Sequence, residues 1–290
     1  MATLSYPLWL SLWYGLGPIL TPVNRILSRI GPKPESPRLR ALTFHDIPDE
    51  RIDGFNRIIG YLAERYRIIN PEEVTNFLTS GERNTDGECI GYLLTFDDGF
   101  ESQARVAEQV LDRFGIKGVF FVCPGLIQRA RSCHREVIAN SIFEAKVSVS
   151  RLPSEMALMS WERVRQLRAA GHTIGSHALG HKRLSELDNA GRYLEVYRSS
   201  DILNEQVGKS TEWFAYPFGD LESIDRESLK LIADRYGFCC TGIPGENYRG
   251  THPLGILRYN IDLDHSFKYQ LFVLEGGMDR FYRKSVIQYR

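Results

Sequence analysis

Ile90-Gly91-Tyr92-Leu93-Leu94-Thr95-Phe96-Asp97-Asp98-Gly99 is the stretch on which the reading of this chain turns. Seven uncharged, largely apolar residues read as a buried strand. The Asp-Asp-Gly at its end reads as a turn, with Gly99 supplying backbone angles that other residues resist. Two adjacent carboxylates at a strand end point in different directions, so they cannot share one task. One can bind a cation while the other stays free to take a proton. Some 80 residues later, Ser176-His177-Ala178-Leu179-Gly180-His181 offers a His-x-x-x-His pair. Imidazole nitrogen and carboxylate oxygen suit a borderline divalent cation such as zinc, at about 2.0–2.2 Å. A spacing of four puts both rings on one face if the segment forms a helical turn. From chemistry alone either aspartate is the third ligand, and the other is the base that takes a proton from water. Water on such a cation has a pKa near ~7, so the combination points to metal-dependent hydrolysis.

Outward from that strand, short apolar runs alternate with helix-length amphipathic stretches. Residues 39–44 read as a strand ending at His45. Residues 70–78 have a capping asparagine, a proline at the first helical position and acids in the first turn, which marks a helix start. Residues 101–114 form a helix with Val106, Val110, Leu111 and Phe114 on one face, closed by Gly115. Residues 118–122 read as a buried strand, and Ser160 caps a helix that stops at Gly171. A short strand at 173–175 delivers His177. A long polar helix is expected over about 185–206, then a strand over 212–216, a helix over 225–236 and strands over 238–241 and 255–261. A last helix covers roughly 266–274.

Repeated strand-then-helix units call for parallel strands with right-handed crossovers. The expected fold is α/β, a distorted (β/α)7-type barrel with parallel strands. A dinucleotide-binding sheet fits less well, because no Gly-x-Gly-x-x-Gly follows any strand. In such barrels the chemistry gathers at the C-terminal strand ends. Asp97, Asp98, His177, His45 and the turn Tyr216-Pro217-Phe218-Gly219 all fall there. Residues 125–158, with Arg129, Arg131, His134 and Arg135, read as an insertion beside that mouth. Trp161 and Trp213 are expected in the core rather than as sugar platforms, and His134, His172, His252 and His265 are expected to be structural.

The chain has 290 residues, enough for one α/β domain with a sizeable core. Its 36 Lys plus Arg balance 36 Asp plus Glu. That balance lacks the basic excess on which phosphate binding relies, so no nucleic-acid partner is expected. Five cysteines, odd in number and without a Cys-x-x-Cys, suggest thiols in a reducing compartment rather than a disulfide framework. Residues 4–20 are uncharged and carry Tyr6, Trp9, Trp13 and Tyr14. They lack the basic n-region of a secretory signal, and prolines and glycines interrupt them. The segment reads as an apolar N-terminal arm or as a membrane-surface contact. Residues 1–37 then form arm and Pro-rich linker, and 38–290 the catalytic domain. A cytoplasmic or membrane-associated location is favoured over a secreted one.

Four segments together resemble the polysaccharide deacetylase family, which shares the NodB homology domain (carbohydrate esterase family 4). They are Leu94-Thr-Phe-Asp-Asp-Gly-Phe100, Met159-Ser-Trp-Glu-Arg-Val-Arg-Gln-Leu-Arg-Ala-Ala-Gly171, His172-Thr-Ile-Gly-Ser-His-Ala-Leu-Gly-His181 and Phe214-Ala-Tyr-Pro-Phe-Gly219. The likeness covers roughly residues 40–275 in the right order and implies a NodB-like barrel. It implies removal of N- or O-acetyl groups from amino sugars and polysaccharides. By resemblance Asp97 is the general base, and Asp98, His177 and His181 hold a divalent metal. Zinc is favoured, with nickel, cobalt or ferrous iron as alternatives. The backbone N–H of Phe218, just after Pro217, stabilises the oxyanion, and Tyr216 and Phe218 line the acetyl pocket.

The family often has an arginine two residues before the motif proline, paired with the catalytic aspartate. Here that position is Ala215. The Phe-Ala-Tyr-Pro form resembles the exopolysaccharide and biofilm-polymer subgroup, in which a histidine near the first strand replaces a C-terminal acid. His45 in Leu42-Thr-Phe-His-Asp46 matches it. Arg258 is the candidate to replace the missing arginine beside Asp97, with a plain strand arginine as the alternative. The leading function is a metal-dependent deacetylase acting on N-acetylated amino sugars of a polysaccharide, oligosaccharide or glycolipid. The alternatives are an O-acetyl esterase, another amide hydrolase or a catalytically silent glycan-binding protein.

Overall fold

A computed structural model describes residues 38–80 and 90–279. The N-terminal arm and linker, with the membrane-surface expectation for residues 4–20, lie outside the described residues. No described helix is long and apolar enough to cross a membrane.

Nine strands are found among the described residues: β1 (Arg38–Phe44), β2 (Arg67–Ile68), β3 (Ile90–Phe96), β4 (Val119–Val122), β5 (Thr173–Ser176), β6 (Trp213–Ala215), β7 (Phe238–Cys240), β8 (Asn247–Tyr248) and β9 (Arg258–Asn260). They lie in the order β7-β6-β5-β4-β3-β1, and β9 pairs with β1 in parallel. The ring closes through Ile256, which bridges to Cys240 and exchanges backbone hydrogen bonds with Cys239 and Thr241. Seven parallel strands therefore make a curled, distorted barrel, as the alternating pattern predicts. The two-residue strands β2 and β8 are additions on its outside edges, and β8 runs antiparallel to β1.

Strand parity decides what faces inward, because successive side chains alternate between faces. On β1 and β3, Leu42, Phe44, Tyr92, Leu94 and Phe96 pack outward with Phe55, Ile58, Ile59 and Leu62 of the covering helix Ile52–Arg65. Their spacing of three and four along that helix gives it one apolar stripe. Phe96 stacks on Phe120, with centroids 4.5 Å apart. The opposite phase, Leu39, Ala41, Leu93, Val119, Phe121, Trp213 and Ala215, forms a second buried cluster. Thr43, Thr95 and Asp97 continue that second phase, so parity alone turns Asp97 away from the helix layer.

Several boundaries depart from expectation. The polar helix does not begin at 185; a separate turn of 3-10 helix covers Leu184–Glu186. Asp188 then caps a new start by accepting the Gly191 N–H at 2.7 Å. The final strand is only Arg258–Asn260, because Pro253–Gly255 forms a 3-10 turn. Trp213 is buried and stacks on Phe238, and Trp161 packs half-buried against the core. His134 is a clasp: it accepts the Leu158 N–H on Nδ1 and meets the Arg129 carbonyl through Nε2.

Candidate active site

Asp97 lies one residue past β3, and its N–H still continues the ladder by donating to the Phe44 carbonyl at 3.0 Å. The side chain is buried and meets Arg258 in a two-pronged pair. Arg258 Nη1 donates to Oδ1 and Nη2 to Oδ2, both at 2.7 Å. Such a fork matches the planar carboxylate and is a strong charge-assisted arrangement. Arg258 is itself buried, with Nη1 also donating to Thr95 Oγ1 at 3.0 Å and Nε to the Thr241 carbonyl at 2.7 Å. Burial works to raise the Asp97 carboxyl, but Arg258 and then His177 hold it below the usual carboxylate value. Position 215 on β6 thus has no arginine, and the guanidinium beside Asp97 comes from β9, two strands away from β3 across β1.

Asp98 follows with φ of 77°, and Gly99 with 76°. This double left-handed step ends the strand's alternation, and both carboxylates reach His177 Nε2, Asp97 Oδ2 at 4.0 Å and Asp98 Oδ1 at 3.4 Å. A left-handed residue other than glycine costs roughly 1–3 kcal/mol and persists only where the surroundings enforce it. Among the described residues the other such positions are Glu144, Ala145, Ala178, His181 and Phe218. All belong to the strand-end turns at this mouth or to the insertion against it.

The two histidines do not sit on a helical turn. His177 lies one residue past β5, its N–H on the Val122 carbonyl at 2.9 Å, and residues 178–180 form a tight turn. Left-handed Ala178 and His181 reverse the chain, and that reversal brings both rings to one point. Their centroids are 5.0 Å apart. His177 Nδ1 lies 2.7 Å from the Ala215 carbonyl and His181 Nδ1 3.1 Å from the Ser141 carbonyl. A carbonyl can only accept, so each ring carries a hydrogen on Nδ1 and turns Nε2 inward.

Asp98 Oδ1 is buried, has no hydrogen-bond donor, and lies 3.4 Å from His177 Nε2 and 3.3 Å from His181 Nε2. One ligand atom from each of the three residues falls within 4.8 Å of the other two. Burial works to raise the Asp98 carboxyl, yet hydrogen bonds from His177 and His181, when those rings carry a proton on Nε2 in place of a metal, hold it well below its ordinary value. Burial likewise works to lower His177, but Asp97 and Asp98 outweigh it and raise the ring. An oxygen and two nitrogens meeting without a donor between them make a trap for a cation, and the donor set fits zinc or a similar divalent ion.

The remaining predicted residues surround this point. His45 follows β1 and is exposed at the mouth, within electrostatic reach of both Asp97 and Asp98. Phe218 (φ 65°) lies in the turn after β6, its ring 4.7 Å edge-on to His181 and 4.1 Å beneath the Arg183 guanidinium. Among the described residues its backbone N–H donates to no protein acceptor. Pro217 is buried before it, and Gly219 after it packs so closely that a Cβ would lie 2.4 Å from the Gly242 nitrogen. Tyr216 corrects the expectation that it lines an acetyl pocket. It is wholly buried among Phe214, Ile232 and Tyr236, and its hydroxyl donates to the Gly219 carbonyl at 2.9 Å. It braces the turn from behind, because its parity on the strand is that of the outer layer.

Several contributors had no signal in the sequence. The Ala215 and Ser141 carbonyls orient the histidines, and any residue type supplies a carbonyl. Glu195 is buried on the polar helix and accepts the Gly180 N–H at 2.7 Å, holding the turn between the histidines. Cys123 Sγ donates to the His177 carbonyl at 3.1 Å, and burial pushes that thiol well up, so it stays protonated.

A profile for the family described as Polysaccharide deacetylase matches residues 83–238, more than half of the chain. The chain belongs to the polysaccharide deacetylase family. The protein YxkH of Bacillus subtilis (strain 168), named for this family, is 23% identical over 173 residues, covering 60% of this chain and 50% of that one. A gellan lyase from a Bacillus species is 27% identical over 186 residues, covering 61% of this chain and 6% of that one. The chain thus spans half the length of the first and a small part of the second. Three solved structures share the fold. Streptococcus pyogenes deacetylase PplD in complex with acetate has a TM-score of 0.62 at 20% identity, covering 81% of this chain and 97% of that one. IcaB from Ammonifex degensii has 0.62 at 22%, covering 82% and 97%. A de-N-acetylase from Aggregatibacter actinomycetemcomitans has 0.61 at 15%, covering 80% and 98%. The chain therefore shares the fold of these three structures across most of its length.

Proposed function

We propose that this family member is a metal-dependent hydrolase that removes acetyl groups from N-acetylated amino sugars of a glycan or glycolipid. One observation carries the reading. Asp98 Oδ1 and the Nε2 atoms of His177 and His181 converge beside an Asp97 whose counter-charge Arg258 already supplies. A divalent cation held by the three residues would polarise the acetyl carbonyl and acidify water. Zinc suits one oxygen and two imidazole ligands; nickel, cobalt and ferrous iron accept the same set.

Asp97 takes the proton of the attacking water. Each of its oxygens accepts one hydrogen bond from Arg258 and keeps a further lone pair for that proton. Phe218 N–H donates to the oxyanion that replaces the carbonyl. An amide anion is too basic to leave, so His45 at the rim gives its proton to the nitrogen as the carbon–nitrogen bond breaks. Acetate and a free amine depart, and the proton on Asp97 returns to His45 through solvent.

The test is acetate release from chitin oligomers, β-1,6-linked N-acetylglucosamine polymer and acetylated xylan, by metal-stripped and zinc-reloaded protein. Metal-dependent release from an N-acetylated substrate supports the reading. Release from xylan alone makes the protein an O-acetyl esterase, and release from none overturns the proposal.

A further inference from the structure

The first turn of the helix that follows Asp97-Asp98-Gly99 carries two side chains not yet given a task. Gln103 is fully buried, and its amide nitrogen donates to two backbone carbonyls, those of His45 (3.2 Å) and Asp97. Both partners only accept, so the NH2 end of the amide must face them. One residue earlier, Ser102 Oγ accepts the Ile47 N–H at 3.0 Å and donates to Asp46 Oδ1 at 2.6 Å. Together they fasten residues 45–47 to the turn that bears Asp97. The β1–β3 ladder has its last paired rung at Phe44 and Phe96. His45 stands beyond that rung, exposed, with its backbone as the means of fixing it.

Stability alone does not account for a glutamine here. Its neighbours Ala104, Val106 and Ala107 are apolar core residues, and Gln103 Oε1 is buried without a donor. A buried unpaired polar atom costs about 1–3 kcal/mol, which an apolar side chain would avoid.

We propose that Gln103, assisted by Ser102, is a positioning residue that sets His45 against Asp97, aligning proton donor with proton acceptor. This rests on the roles given to Asp97 and His45 above. Gln103 touches neither the imidazole nor the carboxylate and acts through the two backbones. A misplacement of about 1 Å in such a pair costs up to about 100-fold in rate.

The experiment compares two leaving groups. An N-acetylglucosamine oligomer releases an amine that must be protonated, whereas 4-nitrophenyl acetate releases a phenolate that leaves unaided. Gln103→Met keeps side-chain length without the donors. It should lower kcat on the oligomer about 10- to 100-fold with KM nearly unchanged, and lower ester turnover by under about threefold. Metal content should stay at the wild-type level, and in a His45→Ala background the substitution should cost nothing more. Equal losses on both substrates, additivity with His45→Ala, lost metal or unaltered turnover would each overturn the proposal. If His45→Ala itself spares the oligomer, the acid assignment falls first and this inference with it. If only Gln103→Met spares it, the inference alone falls. Should Gln103→Met unfold by circular dichroism, Ser102→Ala, which frees Asp46 and Ile47 but leaves the Gln103 bonds in place, should show the same pattern at roughly three- to tenfold.

Discussion

Asp97 and Asp98 are neighbours on one turn and equally buried, yet their surroundings are opposite. Asp97 finds its counter-charge inside the chain, both oxygens matched to the Arg258 fork. Asp98 finds two imidazole nitrogens with their lone pairs toward it, and its Oδ1 has no donor. A carboxylate paired with a fixed guanidinium is held ionised and oriented, able to accept a proton and give it up. A carboxylate facing other acceptors instead holds a place for a cation from outside. The left-handed backbone at Asp98 makes the difference, because it breaks the strand's alternation at the second acid.

The contrast can be broken most severely at Asp98. Asp98→Ala should drop bound zinc from about one ion per chain to little, and lower turnover at least about 1,000-fold, read by elemental analysis and acetate release. In the wild type, chelation should lower the melting temperature, since a ligand at about 100 times its Kd adds about 2.7 kcal/mol to the folded state. The Asp98→Ala protein should show no such response.

Asp97→Asn should keep the metal and lose about 100- to 10,000-fold in turnover, the range for a removed general base. Equal loss of metal in both variants would erase the division of labour.

Arg258→Met tests how Asp97 is held. Removing the guanidinium leaves a buried carboxylate without its partner, which costs about 3–5 kcal/mol by chemical denaturation. The pH dependence has a definite sign. The folded pKa of Asp97 lies below its ordinary value, so the pair's stabilisation is fully present above an unfolded value of about 3.9. It is lost as pH falls through the lower folded value. Without Arg258, burial dominates and raises the carboxyl, so the acidic limb of the rate profile should move to higher pH. An unmoved limb would detach Arg258 from the base.

The smallest effect is expected at Thr95, whose Oγ1 accepts from Arg258 and donates to the Leu42 carbonyl at 2.8 Å. Thr95→Val should cost about 1–2 kcal/mol in stability, read by thermal unfolding, with the metal retained.

Much of this is legible in the sequence. The strand before Asp97 and the parallel strand-helix alternation follow from apolar runs and their period, but the covering helix Ile52–Arg65 and the order of the strands are not among the expectations. The histidine pair was legible as a spacing but not as a shape. A spacing of four fits a helix, yet left-handed Ala178 and His181 bring the rings together through a reversed turn. Motif position says nothing of strand parity, and it is parity that sends the Tyr216 ring behind the turn. The carbonyls of Ala215 and Ser141 and the amide of Gln103 left no trace, since backbone partners carry no residue signature.

The sequence by itself determined which chemistry is available: two acids at a strand end, two imidazoles, a turn that offers an N–H, and a barrel to hold them. Those follow from residue types and local periodicity, which act over a few residues. Only the tertiary structure decided which acid meets which partner. Arg258 lies 161 residues from Asp97 along the chain. It reaches that carboxylate because the ring closes through Ile256 and sets β9 beside β1. That contact is made by closure, and no local pattern encodes it.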